Sequence, residues 1–289
     1  MRGVITTIQR MSISDGPGIR STLFMKGCNL RCKWCHNPET WSMTPQIEYI
    51  ESKCLKCGKC TQNCPVGNYH LLNSRLAISR THCSLCGECV NNCPAEALRI
   101  LGKSVDVDWV ITQFKRDELF FKNSGGGVTV SGGEPFFQYD FIKELFTACK
   151  TYGFDTAIET NLTTDKYKIE SLLPYIDHWM CDLKMINNDL HRQWTGVAND
   201  QILDNIKYLS SHAQLTVRTP VIPGVNDTVE ELRKIKCFIE SLHHDIKHDF
   251  LEFHQLGYCK FDQLGMKNPM PTEIKPFKKN EFNNLINLL

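Results

Sequence analysis

The chain of 289 residues lacks any strong excess of one charge, because 33 lysines and arginines stand against 32 aspartates and glutamates, for a formal net charge of +1. Proteins that bind nucleic acid usually concentrate positive charge, so we expect no nucleic-acid partner. No apolar run approaches the roughly 18 residues that a membrane helix needs, and residues 1–20 lack the long apolar segment of a secretory signal. We therefore expect a cytoplasmic protein with no membrane attachment.

Cysteine is not scarce, and its spacing is the most informative feature of the chain. Two of the cysteine clusters share the pattern Cys-x2-Cys-x2-Cys-x3-Cys-Pro, beginning at Cys54 and at Cys83. In bacterial ferredoxins this pattern binds two [4Fe–4S] clusters, and the fourth cysteine of each run crosses to the other cluster. The predicted ligands are Cys54, Cys57, Cys60, Cys64, Cys83, Cys86, Cys89 and Cys93.

A third cysteine cluster differs because it has three members, Cys28, Cys32 and Cys35, rather than four. A cubane held by three thiolates leaves one iron open to an exogenous ligand. The sequence therefore predicts two clusters that carry electrons and one that is reactive, three [4Fe–4S] clusters in all.

Disulfides and zinc are the rival roles for so many cysteines. A disulfide scaffold does not suit a protein with a cytosolic composition and an odd total of 15 cysteines. Zinc is the stronger rival, since Cys-x2-Cys pairs also bind zinc, but zinc sites need two such pairs rather than a third x2 step followed by x3-Cys-Pro.

Outside the cysteine-rich segment, apolar periodicity predicts alternating strands and helices, which favours parallel β/α units. Six units are too few to close an eight-fold barrel, so we predict an α/β fold: a partial (β/α)6 barrel, with residues 50–102 as a ferredoxin-like insert between core segments 1–49 and 103–289. The predicted strands are 20–26, 128–131, 155–159, 178–182, 214–219 and 249–254. The predicted helices are 140–152, 166–176, 201–210 and 228–242.

Polar or glycine-rich residues follow all six predicted strands. In parallel β/α barrels the site is built from loops at the carboxyl ends of the strands. These ends carry the first cysteine cluster, Gly132-Gly133-Glu134-Pro135, Glu159-Thr160-Asn161, Asp182-Leu183-Lys184, Arg218 and His254. We expect them to meet at one rim.

The Cys-x3-Cys-x2-Cys cluster after a first strand, with Gly-Gly-Glu-Pro after the second, resembles the radical S-adenosylmethionine superfamily. Residues 15–20 (DGPGIR), 34–39 (WCHNPE), 182–184 (DLK) and 253–257 (FHQLG) narrow the resemblance to the activating enzymes of glycyl radical enzymes. The resemblance extends from about residue 3 to about residue 260. The two-cluster insert is similar to the subgroup that serves partners other than pyruvate formate-lyase.

The resemblance implies an oxidoreductase that cleaves S-adenosylmethionine reductively to a 5′-deoxyadenosyl radical, which removes hydrogen from one glycine of a partner enzyme. It implies a flavodoxin or ferredoxin-type electron donor, and we expect a monomer. Two alternatives stay open: a radical enzyme that acts on a small molecule, with the insert as auxiliary clusters, and an electron-transfer ferredoxin fused to an inert barrel.

The resemblance also implies roles for individual residues. Cys28, Cys32, Cys35 and Lys184 are the expected catalytic residues. The expected S-adenosylmethionine contacts are Trp34, Cys35, His36, Gly132, Gly133, Glu134, Asp182, Leu183, Lys184, Arg218 and His254, with Glu134 accepting from the ammonium group. A monovalent cation is expected at Glu159, Thr160, Met180 and Asp182. Plain core packing for Trp34, a hydrogen-bond network instead of the cation, and a structural role for His254 remain alternatives.

One residue departs from the family pattern. Leu162 stands where the family usually has glycine, after Glu159-Thr160-Asn161. Leucine is poorly suited to positive φ, so this position puts the local backbone conformation in doubt.

Overall fold

The computed structural model describes residues 1–72, 75–242 and 246–289. Within these residues the strands, in chain order, are β1 (Arg2–Ser12), β2 (Arg20–Met25), β3 (Gln46–Tyr49), β4 (Tyr69–Leu72), β5 (Arg75–Ile78), β6 (Leu98–Leu101), β7 (Lys103–Asp106), β8 (Gly127–Gly132), β9 (Asp155–Thr160), β10 (His178–Asp182), β11 (Leu215–Val221) and β12 (Lys247–Glu252). The α-helices are α1 (Lys59–Asn63), α2 (Glu88–Asn91), α3 (Val107–Lys115), α4 (Glu118–Ser124), α5 (Tyr139–Thr151), α6 (Lys166–Leu172), α7 (Asn188–Thr195), α8 (Asp200–Ser210), α9 (Val229–Glu240), α10 (Cys259–Gln263) and α11 (Glu281–Ile286).

Eight of these strands form one open sheet in the order β12-β11-β10-β9-β8-β2-β1-β7. The six strands from β2 to β12 in this order pair in parallel, which confirms the partial six-unit barrel. Two antiparallel strands, β1 and β7, extend the sheet beyond β2 and were not predicted. The segment Val4-Ile-Thr-Thr-Ile8, rich in β-branched residues, was an available signal for β1.

The helices that follow the parallel strands bury one apolar stripe each against the sheet. Helix α5 buries its side chains at 141, 142, 145, 146 and 149, a spacing that places them on one face of the helix. Helix α6 is shorter than predicted: it ends at Leu172 and continues as a 3₁₀ turn over Leu173–Tyr175. Pro174 explains the change, because proline lacks the N–H that an α-helix needs.

The DGPGIR segment braces the edge of the sheet at which the parallel strands begin. Arg20 is fully buried, and its guanidinium donates to Thr129 Oγ1 at 2.7 Å and to Asp155 Oδ1 at 2.8 Å. Asp15 accepts from Thr22 Oγ1 at 2.6 Å. These contacts join β2, β8 and β9, so the polar side chains of this motif serve the fold.

The cysteine-rich insert has two antiparallel pairs of its own, β3 with β6 and β4 with β5. Its buried core consists of Ile47, Tyr69, Cys89 and Leu98, whereas the barrel core is many times larger. Arg80 ties the insert to the barrel by donating to the carbonyl oxygen of Gln263 at 3.0 Å. Among the described residues, no helix has the length and apolar character to cross a bilayer.

Candidate functional site

The carboxyl ends of the parallel strands surround a cavity of about 310 Å³. Most residues proposed from the sequence meet there. Of those residues, the cavity lining includes Cys28, Cys32, Trp34, Cys35, His36, Gly132, Gly133, Glu159, Thr160, Asp182, Lys184, Arg218 and His254. Strand ends more than 200 residues apart in sequence thus form one site.

The three cysteines lie on the loop that follows β2 and form one wall of the cavity. A backbone turn, in which Cys35 N donates to Cys32 O at 3.0 Å, brings them together. Burial raises the pKa of the Cys28 and Cys32 thiols to about 12. Free thiols here would stay protonated, whereas coordination to a metal deprotonates a thiol outright. A three-sulfur wall beside an open cavity fits a cluster with one free iron.

A network of charged side chains from three strands forms another wall. Arg218 donates to Glu159 Oε1 at 2.7 Å, and Lys184 Nζ donates to Asp182 Oδ2 at 2.7 Å. Arg218 Nε lies 3.7 Å from Asp182 Oδ1 and joins the two pairs. Burial alone would raise the pKa of the Asp182 carboxyl, but the two cations outweigh it and hold that pKa below its usual value. The site therefore keeps Asp182 as a carboxylate beside the two cations Lys184 and Arg218.

Gly132 and Gly133 line the cavity, but their lack of side chains first serves backbone packing. Gly132 has φ +113°, and a Cβ atom there would lie 2.3 Å from Met25 N. A Cβ atom at Gly133 would lie 2.2 Å from Gly27 O. The glycines thus let the end of β8 press against the end of β2 and fix the start of the cysteine loop.

Three of the residues proposed for the rim site lie outside the cavity lining: Glu134, Met180 and Leu183. Glu134 is buried, and burial raises its pKa to about 7. Its Oε1 accepts from Thr160 Oγ1 at 2.8 Å, and its Oε2 accepts from Asn161 N at 2.8 Å. These bonds make Glu134 a brace between the ends of β8 and β9, and contact with a ligand's ammonium group stays a prediction.

Met180 and Leu183 are buried side chains of β10 and its end. The carbonyl oxygen of Leu183 accepts from Thr219 Oγ1 at 2.9 Å. Any contact of these two residues with a ligand or cation would have to be made by their backbone atoms. The sequence names the residue but does not show whether its backbone or its side chain makes the contact.

Two histidines stack at the cavity. The rings of His36 and His254 lie 4.0 Å apart, and His36 Nε2 is 2.9 Å from the carbonyl oxygen of His254. A Cβ atom at Gly257 would lie 2.6 Å from His36 Cα, so the FHQLG segment packs directly on the cysteine loop. Trp34 lines the cavity and also packs beside Trp194, and its contact with a ligand stays a prediction.

Sequence reasoning missed two supports of the site. Asn161 Nδ2 lies 3.8 Å from Cys28 Sγ and donates to Asn29 Oδ1 at 3.2 Å. Lys260 donates to Asn37 Oδ1 at 2.8 Å and to Glu39 Oε1 at 2.7 Å, which holds the segment after Cys35. Asn161 was visible as a polar residue at a strand end, but no sequence signal joins Lys260 to residues more than 220 positions away.

The insert gathers its cysteines around two further cavities. One cavity is lined by Cys54, Cys57, Cys60 and Cys93, and the other by Cys64, Cys83, Cys86 and Cys89. Each set takes three cysteines from one run and the last cysteine from the other run, which is the crossover of bacterial two-cluster ferredoxins. The donor sets therefore fit two [4Fe–4S] clusters.

No three Cys, His, Asp or Glu side chains within residues 1–72, 75–242 and 246–289 meet closely enough to hold a single metal ion. A [4Fe–4S] cluster takes one thiolate per iron, so its ligands need only surround a common cavity, as they do here. A buried hydroxyl adds to the second insert cavity, since Tyr69 Oη donates to Cys89 Sγ at 3.0 Å.

Comparison with known proteins identifies this chemistry. The Radical SAM superfamily model matches residues 75–235, and models of a 4Fe-4S single cluster domain and a 4Fe-4S dicluster domain match residues 14–65 and 46–94. The chain is similar to the (2S)-3-sulfopropanediol dehydratase activating enzyme of Klebsiella oxytoca, with 38% identity over 96% of this chain and 89% of the relative. It is also similar to the trans-4-hydroxy-L-proline dehydratase activating enzyme of Clostridioides difficile, with 39% identity over 92% of this chain and 89% of the relative.

A solved structure supports the fold independently. SuiB of Streptococcus suis, in the structure bound to precursor peptide SuiA, matches with a TM-score of 0.52 and 15% identity. The match covers 90% of this chain and 42% of that chain. Together with the cysteine cavities and the rim, these comparisons establish that the chain belongs to the radical S-adenosylmethionine superfamily, among the activating enzymes of glycyl radical enzymes.

Proposed function

We propose that the rim cavity binds S-adenosylmethionine and that its reductive cleavage installs a radical on one glycine of a partner enzyme. The observation that carries this proposal is the single cavity in which three cysteine thiols face two carboxylates and two cations. That arrangement leaves room for one ligand between a cluster and a set of fixed charges. The family membership supplies the reaction class.

The residues of the cavity would hold the ligand by complementary chemistry. Asp182 and Glu159 offer carboxylates to the ligand's cationic groups, while Lys184 and Arg218 offer positive charge to its carboxylate. His36, His254 and Trp34 offer ring surfaces for the adenine. A monovalent cation beside Glu159, Thr160, Asp182 and the backbone of Met180 belongs to the same proposal, because these oxygens suit a hard ion.

A [4Fe–4S] cluster at Cys28, Cys32 and Cys35, once reduced, would supply the electron that splits S-adenosylmethionine into methionine and a 5′-deoxyadenosyl radical. This chain's residues hold the ligand still and exclude water around it. The open sheet, which ends at β12 on one side, leaves access for a loop of a large partner. We further propose three clusters in total, a flavodoxin or ferredoxin-type donor, a monomeric state and a cytoplasmic, oxygen-free setting.

The test is anaerobic reaction of the dithionite-reduced enzyme with S-adenosylmethionine and with each candidate glycyl radical enzyme from the same genome. The expected result is a doublet electron paramagnetic resonance signal on one partner, with one 5′-deoxyadenosine formed per radical. A peptide that copies the partner's glycine loop should react more weakly, since it must become ordered on binding. Absence of a radical on every partner, together with stoichiometric 5′-deoxyadenosine driven by a small metabolite, would instead support a small-molecule substrate.

A further inference from the structure

The two cysteine loops of the insert share backbone conformation at matched positions but differ in surface charge. Adding 29 to a residue number in the first loop gives its counterpart in the second, as for Cys54 and Cys83. Lys56 and its counterpart Leu85 share a left-handed backbone, with φ of 55° and 57°. A difference in side chains between such matched positions therefore changes the surface without changing the fold.

The first loop is basic and exposed. Lys53, Lys56 and Lys59 are all exposed, and Leu55 between them is 69% exposed. Glu51 is the one carboxylate within residues 51–64, which leaves three lysines against one acid. Lys56 and Lys59 also line the cavity of Cys54, Cys57, Cys60 and Cys93.

The second loop offers no such surface. The counterparts of the three lysines are His82, Leu85 and Glu88, so the positive charge is absent. The cavity of Cys64, Cys83, Cys86 and Cys89 has no charged residue in its described lining. Cys89 is buried, whereas its counterpart Cys60 is half-buried.

A chain of contacts ties a residue before the second loop to the barrel. Arg80, three residues before Cys83, donates to the carbonyl oxygen of Gln263 at the end of α10. In the same helix, Lys260 donates to Glu39 Oε1 at 2.7 Å. Glu39 follows Cys35 by four residues, so α10 contacts both the insert and the cysteine loop of the rim. Both loops have residues exposed to solvent, but only the first presents lysines there, at positions 53, 56 and 59.

We propose that the first loop, with Lys53, Leu55, Lys56 and Lys59, is the docking face for an acidic one-electron carrier protein. This inference rests on the proposed function, which requires an electron from outside. The carrier loses one electron and the cluster of Cys54, Cys57, Cys60 and Cys93 gains it, with no bond formed or broken and no proton moved. Complementary charge speeds such encounters by roughly 10–10³-fold at low ionic strength. From this loop the electron passes by way of the second cavity to the rim.

The test measures the reduction of the anaerobic holoenzyme by reduced flavodoxin, used as the acidic carrier, in a stopped-flow spectrometer over a range of salt concentrations. The triple variant Lys53→Glu, Lys56→Glu, Lys59→Glu should be reduced at least about tenfold more slowly at low salt and should lose the salt dependence of the native protein. The matched control is Lys275→Glu, Lys278→Glu, Lys279→Glu, which changes the net charge equally at exposed positions of the tail. This control should behave as the native protein.

Photoreduced 5-deazariboflavin, a small uncharged reductant, separates the docking face from the chemistry. All variants should be reduced by it at equal rates and should then cleave S-adenosylmethionine. Failure of the native protein to do so would count against the proposed function, not against the docking face. Equal flavodoxin rates for the two triple variants would overturn the docking face. If the glutamate variant does not take up full iron, the triple glutamine variant at the same three lysines replaces it. We then expect a smaller decrease in the rate of reduction by flavodoxin and a weaker salt dependence than in the native protein.

Discussion

At the barrel rim, three cysteines share a cavity with charged side chains, whereas in the insert each cavity is lined by four cysteines. The two regions therefore differ in what completes the ligand set. In the insert the protein supplies every thiolate, which suits a cluster that only gains and loses an electron. At the rim three cysteines line the cavity together with Asp182 and Lys184, which would suit a cluster that binds a substrate.

The regions also differ in what stabilises them. The barrel has a large apolar core, while the apolar cluster of the insert has four buried members, one of which is a proposed cluster ligand. A segment with so small a core depends on its metal ligands for folding. Clusters would thus be part of the structure in the insert and part of the chemistry at the rim.

The largest effect separates the two regions by single substitutions. Cys32→Ala should abolish reductive cleavage of S-adenosylmethionine, because the cluster with the open iron is lost. Cys57→Ala should leave the rim cluster in place and only slow its reduction. Measuring 5′-deoxyadenosine with dithionite as reductant checks both variants. Cleavage of S-adenosylmethionine at the native rate by Cys32→Ala would contradict the assignment of the reactive cluster to the rim.

The next effect concerns folding. Removal of iron with a chelator should strip hydrogen-exchange protection from β3, β4 and β6, since their small core loses its clusters. Strands β8, β9 and β10 should keep their protection, because the barrel core does not include the cysteine ligands. Hydrogen exchange followed by mass spectrometry checks this. Equal loss of protection in both regions would contradict the claim that the insert needs its metal clusters to stay folded and the barrel does not.

A smaller effect tests the charged wall of the rim. Asp182→Asn removes the charge that pairs with Lys184 and lies near Arg218. We expect the Kd for S-adenosylmethionine to rise by about tenfold, the size of one lost charge-assisted hydrogen bond, with iron content unchanged. Asp177→Asn is the control. Asp177 directly precedes β10, at the end opposite to Asp182, and pairs with Lys150 at 2.6 Å. Equal Kd values for the two variants in an equilibrium binding measurement would show that Asp182 does not contact S-adenosylmethionine.

The smallest effect sharpens the difference between the two insert clusters. Tyr69→Phe deletes the hydroxyl that donates to Cys89 Sγ. Hydrogen bonds to cluster sulfurs raise the reduction potential, so the variant's potential should fall, by on the order of tens of millivolts. A redox titration followed by electron paramagnetic resonance resolves the change. An unchanged potential would mean that this hydrogen bond does not tune the cluster.

The sequence predicted the parallel strands and the rim because both leave short-range signals. Alternating apolar segments mark the strands, and polar residues at their ends mark the site. The same reasoning did not find the structural roles of three residues proposed as ligand contacts: Gly132 and Gly133 also pack on backbone, and Glu134 also braces the ends of β8 and β9. Such roles depend on neighbours from distant segments, which a single sequence does not reveal.

At Leu162 the sequence raised a doubt about the backbone that the structure resolves. Its φ is +58°, so leucine adopts the conformation that the family's usual glycine would favour. The side chain is fully buried in the barrel core, and its carbonyl oxygen accepts from Asn205 Nδ2 at 2.9 Å. Burial of a leucine contributes a few kcal/mol, about as much as or more than the roughly 1–3 kcal/mol of such backbone strain. The doubt raised by the sequence is answered by packing.

The most direct test of the division between rim and insert is one experiment on the triple variant Cys28→Ala, Cys32→Ala, Cys35→Ala. Anaerobic reconstitution should give about twelve irons per chain in the native protein and about eight in the variant, as three cubanes and two cubanes require. Electron paramagnetic resonance of the reduced native protein should change on addition of S-adenosylmethionine, and that of the variant should not. A variant that keeps all its iron, or whose spectrum still responds to S-adenosylmethionine, would contradict the account.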